Sequence, residues 1–427
     1  LPVPLVTEDP MLEPIAPAPH IVPTWQEALA MLRARSTDLR IALDEIERTQ
    51  GQWRQALAAS LPTLTGTGNI TSNLLRGEGF DLSTQAQGLL PHFVTYGAQL
   101  TLVQPILAPR AWHAPGTVRL TQQAAELSAE DQKRILAFAL ANAVVTVVTA
   151  ERLSEINRIA LRAALERLTL ARRRVALGAG NALDTVRADQ DVSVTRATVV
   201  TGDEQLRKAR EALGLALGST EAWGVRPDVD LSNVEATARA TCTIVDKVED
   251  RADIAAARTL TEVTKRNVDD VWLQFSPTVN LVSTVRGAST QLENFKYATW
   301  TIAGVLSIPF YDGGARYGAL RDTRAQVDQS EQRLEAARRS ATVEVIQAKR
   351  SVSVAEESRR VSEQARDLAR ETERLSRVSF AAGTGTSLDL IESGRRLREA
   401  ESQLALQEFT LVQSRISALL TLSRCNW

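Results

Sequence analysis

The strongest constraint on this chain is a stretch written twice, LARRRVALGAGNALDTV over residues 170–186 and LSRVSFAAGTGTSLDLI over residues 375–391. Aligned without a gap at an offset of 205 residues, Leu170, Arg172, Gly178, Gly180, Leu183 and Asp184 meet Leu375, Arg377, Gly383, Gly385, Leu388 and Asp389. Each copy reads as a long helix that stops at a Gly-x-Gly turn and restarts behind a polar residue, Asn181 or Thr386, able to cap the new helix. Each is the tip of a helical hairpin, so the 427 residues are expected to form one body of two similar halves.

The same plan surrounds both tips. After an extended Pro-rich arm at 1–23, a first repeat covers 24–218: a helix opened by Thr24 and Glu27 as a capping box, a β-hairpin at about 62–105, a long helix, the tip turn 178–184 and a second helix. A connector at 219–243 leads to a second repeat at 244–422, with its β-hairpin at about 277–309 and its tip turn at 383–389, and a tail at 423–427 follows. Each half holds one helix of nearly 70 residues, about 100 Å long at 1.5 Å per residue, and two of about half that length. In the second long helix Val327, Leu334, Ala341, Ala348 and Ala355 recur every seven residues, a seam of mostly small side chains that suits close helix packing. The apolar, uncharged helical run at residues 135–150 reaches only about 24 Å and contains Asn142, so it reads as a buried helix segment and not as a membrane span.

If this chain crosses a membrane, it does so with strands. Val94, Tyr96, Ala98, Leu100 and Leu102 alternate with Thr95, Gly97, Gln99 and Thr101, and Trp300, Ile302, Leu306 and Ile308 alternate with Thr299, Thr301, Ala303 and Ser307. Four strands with one apolar face cannot cover that face or their edges in water. In lipid the face is solvated but the edges must close, so copies of the chain would together make eight, twelve or sixteen strands, with the polar face lining water. Thirteen of the nineteen aromatic residues lie in 53–112 and 272–317, with Trp53, Trp112, Trp272, Phe275, Phe310 and Tyr311 near one end of the strands and Phe80, Phe93, Phe295 and Tyr297 near the other. Two such girdles suit the interfaces of a membrane barrel.

A formal net charge of −1 with no Lys/Arg block offers no electrostatic case for nucleic acid. His20, His92 and His113 are too scattered for a triad or a metal, Cys242 and Cys425 match no zinc or redox spacing, and the Gly-x-Gly turns lack the preceding strand of a dinucleotide fold. No catalytic residue, cofactor or metal is expected. The Pro-rich start suits a mature exported chain and a trimmed one alike.

The repeated order of helix, β-hairpin, long helix, tip and helix, with IPFYDGGARYGAL after the second hairpin and two G-x-G-x-x-L-D tips, resembles the TolC family of bacterial outer membrane channels over about residues 24–422. Pro309, Phe310, Asp312, Gly313 and Gly314 are among its most specific residues, whereas the first-half counterpart QPILAPRAWHAPG lacks the Asp-Gly-Gly. The resemblance implies a mixed α and β membrane protein: a homotrimer whose four strands per protomer close an outer membrane β-barrel, continued by a long periplasmic α-helical barrel. It implies a passive channel-tunnel for multidrug efflux or type I secretion. The tips, through Gly178, Gly180, Leu183, Gly383, Gly385 and Leu388, would meet a periplasmic adaptor, or membrane fusion protein, working with an inner membrane pump of RND, ABC or MFS type. Asp389 and Glu392 match the family's acidic positions behind the second tip, where threefold rings would favour cations, while Asp184 reads mainly as an acid at a helix N-terminus. Relatives that latch the second tip with an Arg have it where this chain has Gly385, so a latch here would draw on Arg187, Arg395 or Arg396. Cys242 and Cys425 fall in two segments that in the family form an equatorial belt, and a disulfide between them suits an oxidising periplasm. The competing reading is a soluble coiled-coil scaffold or periplasmic adaptor, which would need no detergent.

Overall fold

The computed structural model describes residues 9–72, 78–81, 86–89, 94–178, 180–226, 239, 242–289, 297–425 and 427. In chain order, β1 (His20–Val22) leads to α1 (Trp25–Arg35) and α2 (Thr37–Ala58), then β2 (Thr63–Ser72), β3 (Glu78–Asp81), β4 (Ala86–Leu89) and β5 (Val94–Leu107). α3 (Pro109–Ala176) and α4 (Ala182–Ala216) form the first helical hairpin, and β6 (Trp223–Val225) and β7 (Cys242–Ile244) follow. α5 (Ala252–Trp272), β8 (Thr278–Ser289), β9 (Tyr297–Ser307), α6 (Ala315–Ala381), α7 (Ser387–Thr421) and β10 (Ser423–Cys425) complete the chain.

Two local features depart from the sequence reading. The helix expected from Thr24 to about residue 60 is two helices, because Ser36 takes an extended backbone (ψ 121°) and its Oγ accepts the Leu39 N–H at 3.2 Å, ending α1 and capping α2. Between the two strands of the hairpin expected at about 62–105 stands a further short hairpin, β3 against β4, with Gly79 opposite Gly88.

The chain divides into two compact units, one of residues 1–43, 127–255 and 336–427, the other of 44–126 and 256–335, and each draws on both repeats. The first unit has a helical core around Leu140, Leu213, Leu217, Ile416 and Leu420, and a smaller cluster around Leu161, Ala164, Val192 and Val199. Each such buried leucine contributes about 2–3 kcal/mol by leaving water. α3 has the length and composition of a membrane span, but Leu136, Ala137, Leu140, Ala141, Val144, Val145, Val147 and Ala150 of its apolar run are buried among protein side chains. The small-residue seam of α6 also faces inward, with Leu334, Ala341, Ala348 and Ala355 all buried.

The second unit carries one antiparallel sheet in the order β2-β5-β8-β9. Its register sorts the two faces row by row. Leu64, Leu102, Ser283 and Ile302 form one row of the apolar face, and Gly66, Leu100, Val285 and Trp300 the next. Between them on the opposite face runs a ladder of four threonines, Thr65, Thr101, Thr284 and Thr301. The apolar face is open: Leu64 is 68% exposed, Ile70 73%, Trp300 72% and Ile302 62%. Trp112, Trp272, Phe310, Tyr311 and Tyr317, near the helix-side ends of the strands, are also exposed. The other aromatic group lies outside the described residues at Phe93 and Phe295, as do the side chains of Phe80 and Tyr297.

Candidate channel tips, belt and barrel sheet

At both tips the two glycines serve different needs. Gly178 and Gly383 end their helices with φ of +72° and +80°, a left-handed backbone that an L side chain disfavours. Gly180 and Gly385 have no such torsion. A Cβ there would stand 2.8 Å from the Val175 nitrogen and 2.9 Å from the Phe380 nitrogen, because each turn folds back on the last turn of the preceding helix. Gly385 therefore leaves no room for a latch side chain at its own position.

The new helices start from different caps. Asn181 accepts the Leu183 N–H at 3.0 Å, and Asp184 stands in the first turn of α4. Thr386 and Asp389 make a full capping box: Thr386 Oγ1 accepts the Asp389 N–H at 3.1 Å, and the Asp389 carboxylate accepts the Thr386 N–H at 3.3 Å and its hydroxyl at 2.6 Å. Glu392 is held by two arginines of its own helix, Arg395 at 2.7 Å and Arg396 at 2.9 Å, and Arg395 also pairs with Glu399. Hydrogen bonds from Arg395 and Arg396 hold the Glu392 carboxyl down at about 2. Leu183 and Leu388 occupy matching exposed positions, 48% and 51% accessible. Within the chain the tips are joined by Arg174, whose guanidinium lies 4.2 Å from the Phe380 ring centroid. No sequence motif announced that contact, since the partners are two hundred residues apart.

Behind the tips, the first hairpin is crossed by polar locks. Arg158 pairs with both oxygens of Asp203 (2.8 and 2.9 Å), Arg167 with Asp191 (2.7 Å) and Arg210 with Glu151 (3.1 Å). The N-terminal arm lies along the same helices. Arg196 reaches the Asp9 carboxylate at 2.7 Å, Arg158 donates to the Glu13 carbonyl and Arg210 to the Ala16 carbonyl. Burial alone would raise the Asp9 carboxyl, but Arg196 and the Met11 N–H outweigh it and hold the pKa below the ordinary range. Leu12 packs on the small core cluster, and β1 pairs in parallel with β6.

β7 and β10 pair antiparallel with Cys242 opposite Cys425, and the two are joined in a disulfide with both residues buried. A bond that closes 183 residues restrains the unfolded chain by about 5 kcal/mol in the loop-entropy picture. Beside it, buried Arg251 pairs with Asp253 (2.9 Å) and Glu344 (3.0 Å) and donates to the Thr421 carbonyl, tying the start of α5 to α6 and to the end of α7. Burial opposes its charge, but Asp253 and Glu344 outweigh that and raise its pKa. Among the described residues no group of three His, Cys, Asp or Glu side chains is placed to hold a metal ion. His113 instead bonds Asp270 at 2.6 Å.

The outer membrane efflux protein family model matches residues 28–219 and 244–422. The chain belongs to the outer membrane efflux protein family. It is a protein of the outer membrane, in a family of channels and not of enzymes. The proteases secretion protein PrtF of Dickeya chrysanthemi is 24% identical to this efflux protein over 434 residues, covering 96% of this chain and 89% of the relative. The probable efflux pump outer membrane protein TtgC of Pseudomonas putida is 21% identical, covering 92% and 82%. Among solved structures, CusC superposes with a TM-score of 0.83 at 18% identity over 98% of each chain. At that identity the likeness concerns the fold.

Proposed function

We propose that this outer membrane efflux protein works as a homotrimer in which three four-stranded sheets close a twelve-stranded barrel, continued by a tunnel of helices through the periplasm. The observation that carries this reading is the sheet itself: one face is apolar and open, and β2 and β9 are both edge strands. In lipid an open edge leaves unpaired N–H and C=O groups, so the sheet needs further copies to close. The exposed heptad row Val354, Val361, Leu368 and Leu375 on α6 supports side-by-side packing of helices from neighbouring copies. The two repeats, 24–218 and 244–422, would supply alternate staves of the wall, and the connector 219–243 a belt at its waist.

The channel is passive and takes its cargo from a periplasmic adaptor and an inner membrane pump. The relatives named for protease secretion and for an efflux pump support both uses, type I secretion and multidrug efflux. The turns at Gly178 and Gly383, with exposed Leu183 and Leu388, are the docking tips, and the entrance closes at the second tip. There Asp389 supplies the selecting charge. Glu392 adds less than its formal charge because Arg395 and Arg396 offset it. Cys242 and Cys425 stay bonded in the oxidising periplasm. The test is conductance: detergent-extracted protein added to a planar bilayer should give discrete channel currents. A protein that is soluble without detergent and never conducts would instead be the coiled-coil scaffold or adaptor.

A further inference from the structure

One charge stands within the four-stranded sheet. β2, β5, β8 and β9 carry hydroxyl, glycine, amide and apolar residues, and Arg286 in β8 is their one charged residue. The register decides which way it faces. Arg286 lies opposite Gln99 on one side and Thr299 on the other, and Gln99 lies opposite Thr67, so its row is Thr67, Gln99, Arg286, Thr299. The neighbouring row on the same face is the threonine ladder Thr65, Thr101, Thr284 and Thr301. The rows on the other face hold Leu100, Val285 and Trp300, and Leu102 and Ile302. A guanidinium among the apolar rows would meet hydrocarbon at a cost of about 2–4 kcal/mol at mid-bilayer, whereas the threonine face meets water. The side chain is exposed, not folded into the unit that carries it.

We infer that Arg286, repeated by the three copies of the trimer proposed above, forms a cationic ring inside the barrel that favours anionic solutes on their way out. The inference rests on that barrel reading and adds to it a determinant separate from the acids at the second tip. Arg286 is the ninth residue of β8, nearer its loop end than its helix end, so the ring stands toward the outward mouth and not at the periplasmic entrance. A ring of fixed charge attracts counter-ions into the pore and repels co-ions. With each guanidinium about 10 Å from the axis of a barrel of about a dozen strands, and a screening length of about 10 Å at 0.1 M salt, three charges change the anion-to-cation ratio by about twofold. At 1 M salt the screening length falls to about 3 Å and the effect should vanish.

The experiment is a reversal-potential measurement in planar bilayers under a KCl gradient, comparing the full chain with R286Q, R286E and R286K at low and high salt. The expected result is an anion-to-cation permeability ratio about twofold lower in R286Q and about fourfold lower in R286E at 0.1 M, with no difference at 1 M. R286K, which keeps the charge without the guanidinium, should keep the wild-type ratio and so separate charge from shape. R286Q and R286E channels that conduct with the wild-type ratio at low salt would overturn the ring while leaving the channel intact. A wild-type protein that does not conduct would overturn the barrel reading and the ring with it.

Discussion

The α3–α4 hairpin is crossed by three ion pairs with little solvent access, besides the exposed pair Arg172–Asp189, and is overlaid by the arm from Asp9 to Val22, while its repeat, the α6–α7 hairpin, is crossed by Arg370–Glu401 and Arg415–Glu356, both in solvent. The first hairpin shows 11% and 18% of the side chains of Arg158 and Asp203, and the second 57% and 31% of those of Arg370 and Glu401. Solvent decides what such pairs contribute. Exposed pairs are worth about 0–1 kcal/mol, whereas breaking a pair withdrawn from water leaves a charge with neither water nor partner. One duplicated plan has thus produced one hairpin crossed by withdrawn ion pairs and one crossed by solvated pairs, whose α6 surface, with Leu368 72% exposed and Leu375 50%, would be covered by neighbouring copies in the proposed trimer.

The largest effect is expected at the locks. Asp203→Ala or Asp191→Ala should destabilise the protein by about 3 kcal/mol, and Glu401→Ala by less than about 0.5 kcal/mol, read by thermal or denaturant unfolding in detergent. Equal losses in the two hairpins would erase the asymmetry.

The tip glycines come next in size. Gly180→Ala and Gly385→Ala each push a Cβ against helix backbone, and Gly178→Ala and Gly383→Ala each force a positive φ, so all four should cost about 1–3 kcal/mol. If the entrance moves at the second tip, the Gly383 and Gly385 variants should also change channel open probability more than their first-tip counterparts. Single-channel recording is the check.

A smaller effect separates Glu392 from Asp389. With its carboxyl held at about 2, Glu392 contributes stability that is fully present above its ordinary pKa of 4.5 and is lost as pH falls through the folded value. The melting temperatures of wild type and E392Q should therefore converge between about pH 4.5 and pH 2, and a gap unchanged across that window would count against the Arg395–Glu392–Arg396 contact. E392Q also releases two arginines, so at neutral pH it should move selectivity toward anions. Asp389→Asn should do the same by removing the acid alone, and should also weaken the start of α7 by about 1 kcal/mol through the lost capping box.

What the sequence revealed was whatever repeats or alternates. The Gly-x-Gly tips, the seven-residue seam through Leu334 and Ala355, the buried run around Leu140 and the two faces of β5 and β9 all follow from periodicity within one element. Contacts between elements left no such trace. Arg158 meets Asp203, Arg174 meets Phe380 and Arg196 meets Asp9 because packing brings them together, and arginine and acid are too common in this chain for the pairs to be picked out. The break at Ser36 was legible in the run Ser36-Thr37-Asp38, residues that favour caps, but unbroken helical periodicity on both sides masked it. For Glu392 the charge was visible and its neutralisers were not, although Arg395 and Arg396 stand one turn away where helix spacing puts them in reach.

The proposed channel depends on a sheet that closes only with further copies, and their number can be measured directly. Native mass spectrometry of the protein released from detergent micelles should give three times the 46.6 kDa chain, with no monomer until the trimer is denatured. A monomer that needs no detergent, or an assembly of any other number, would contradict the twelve-stranded barrel.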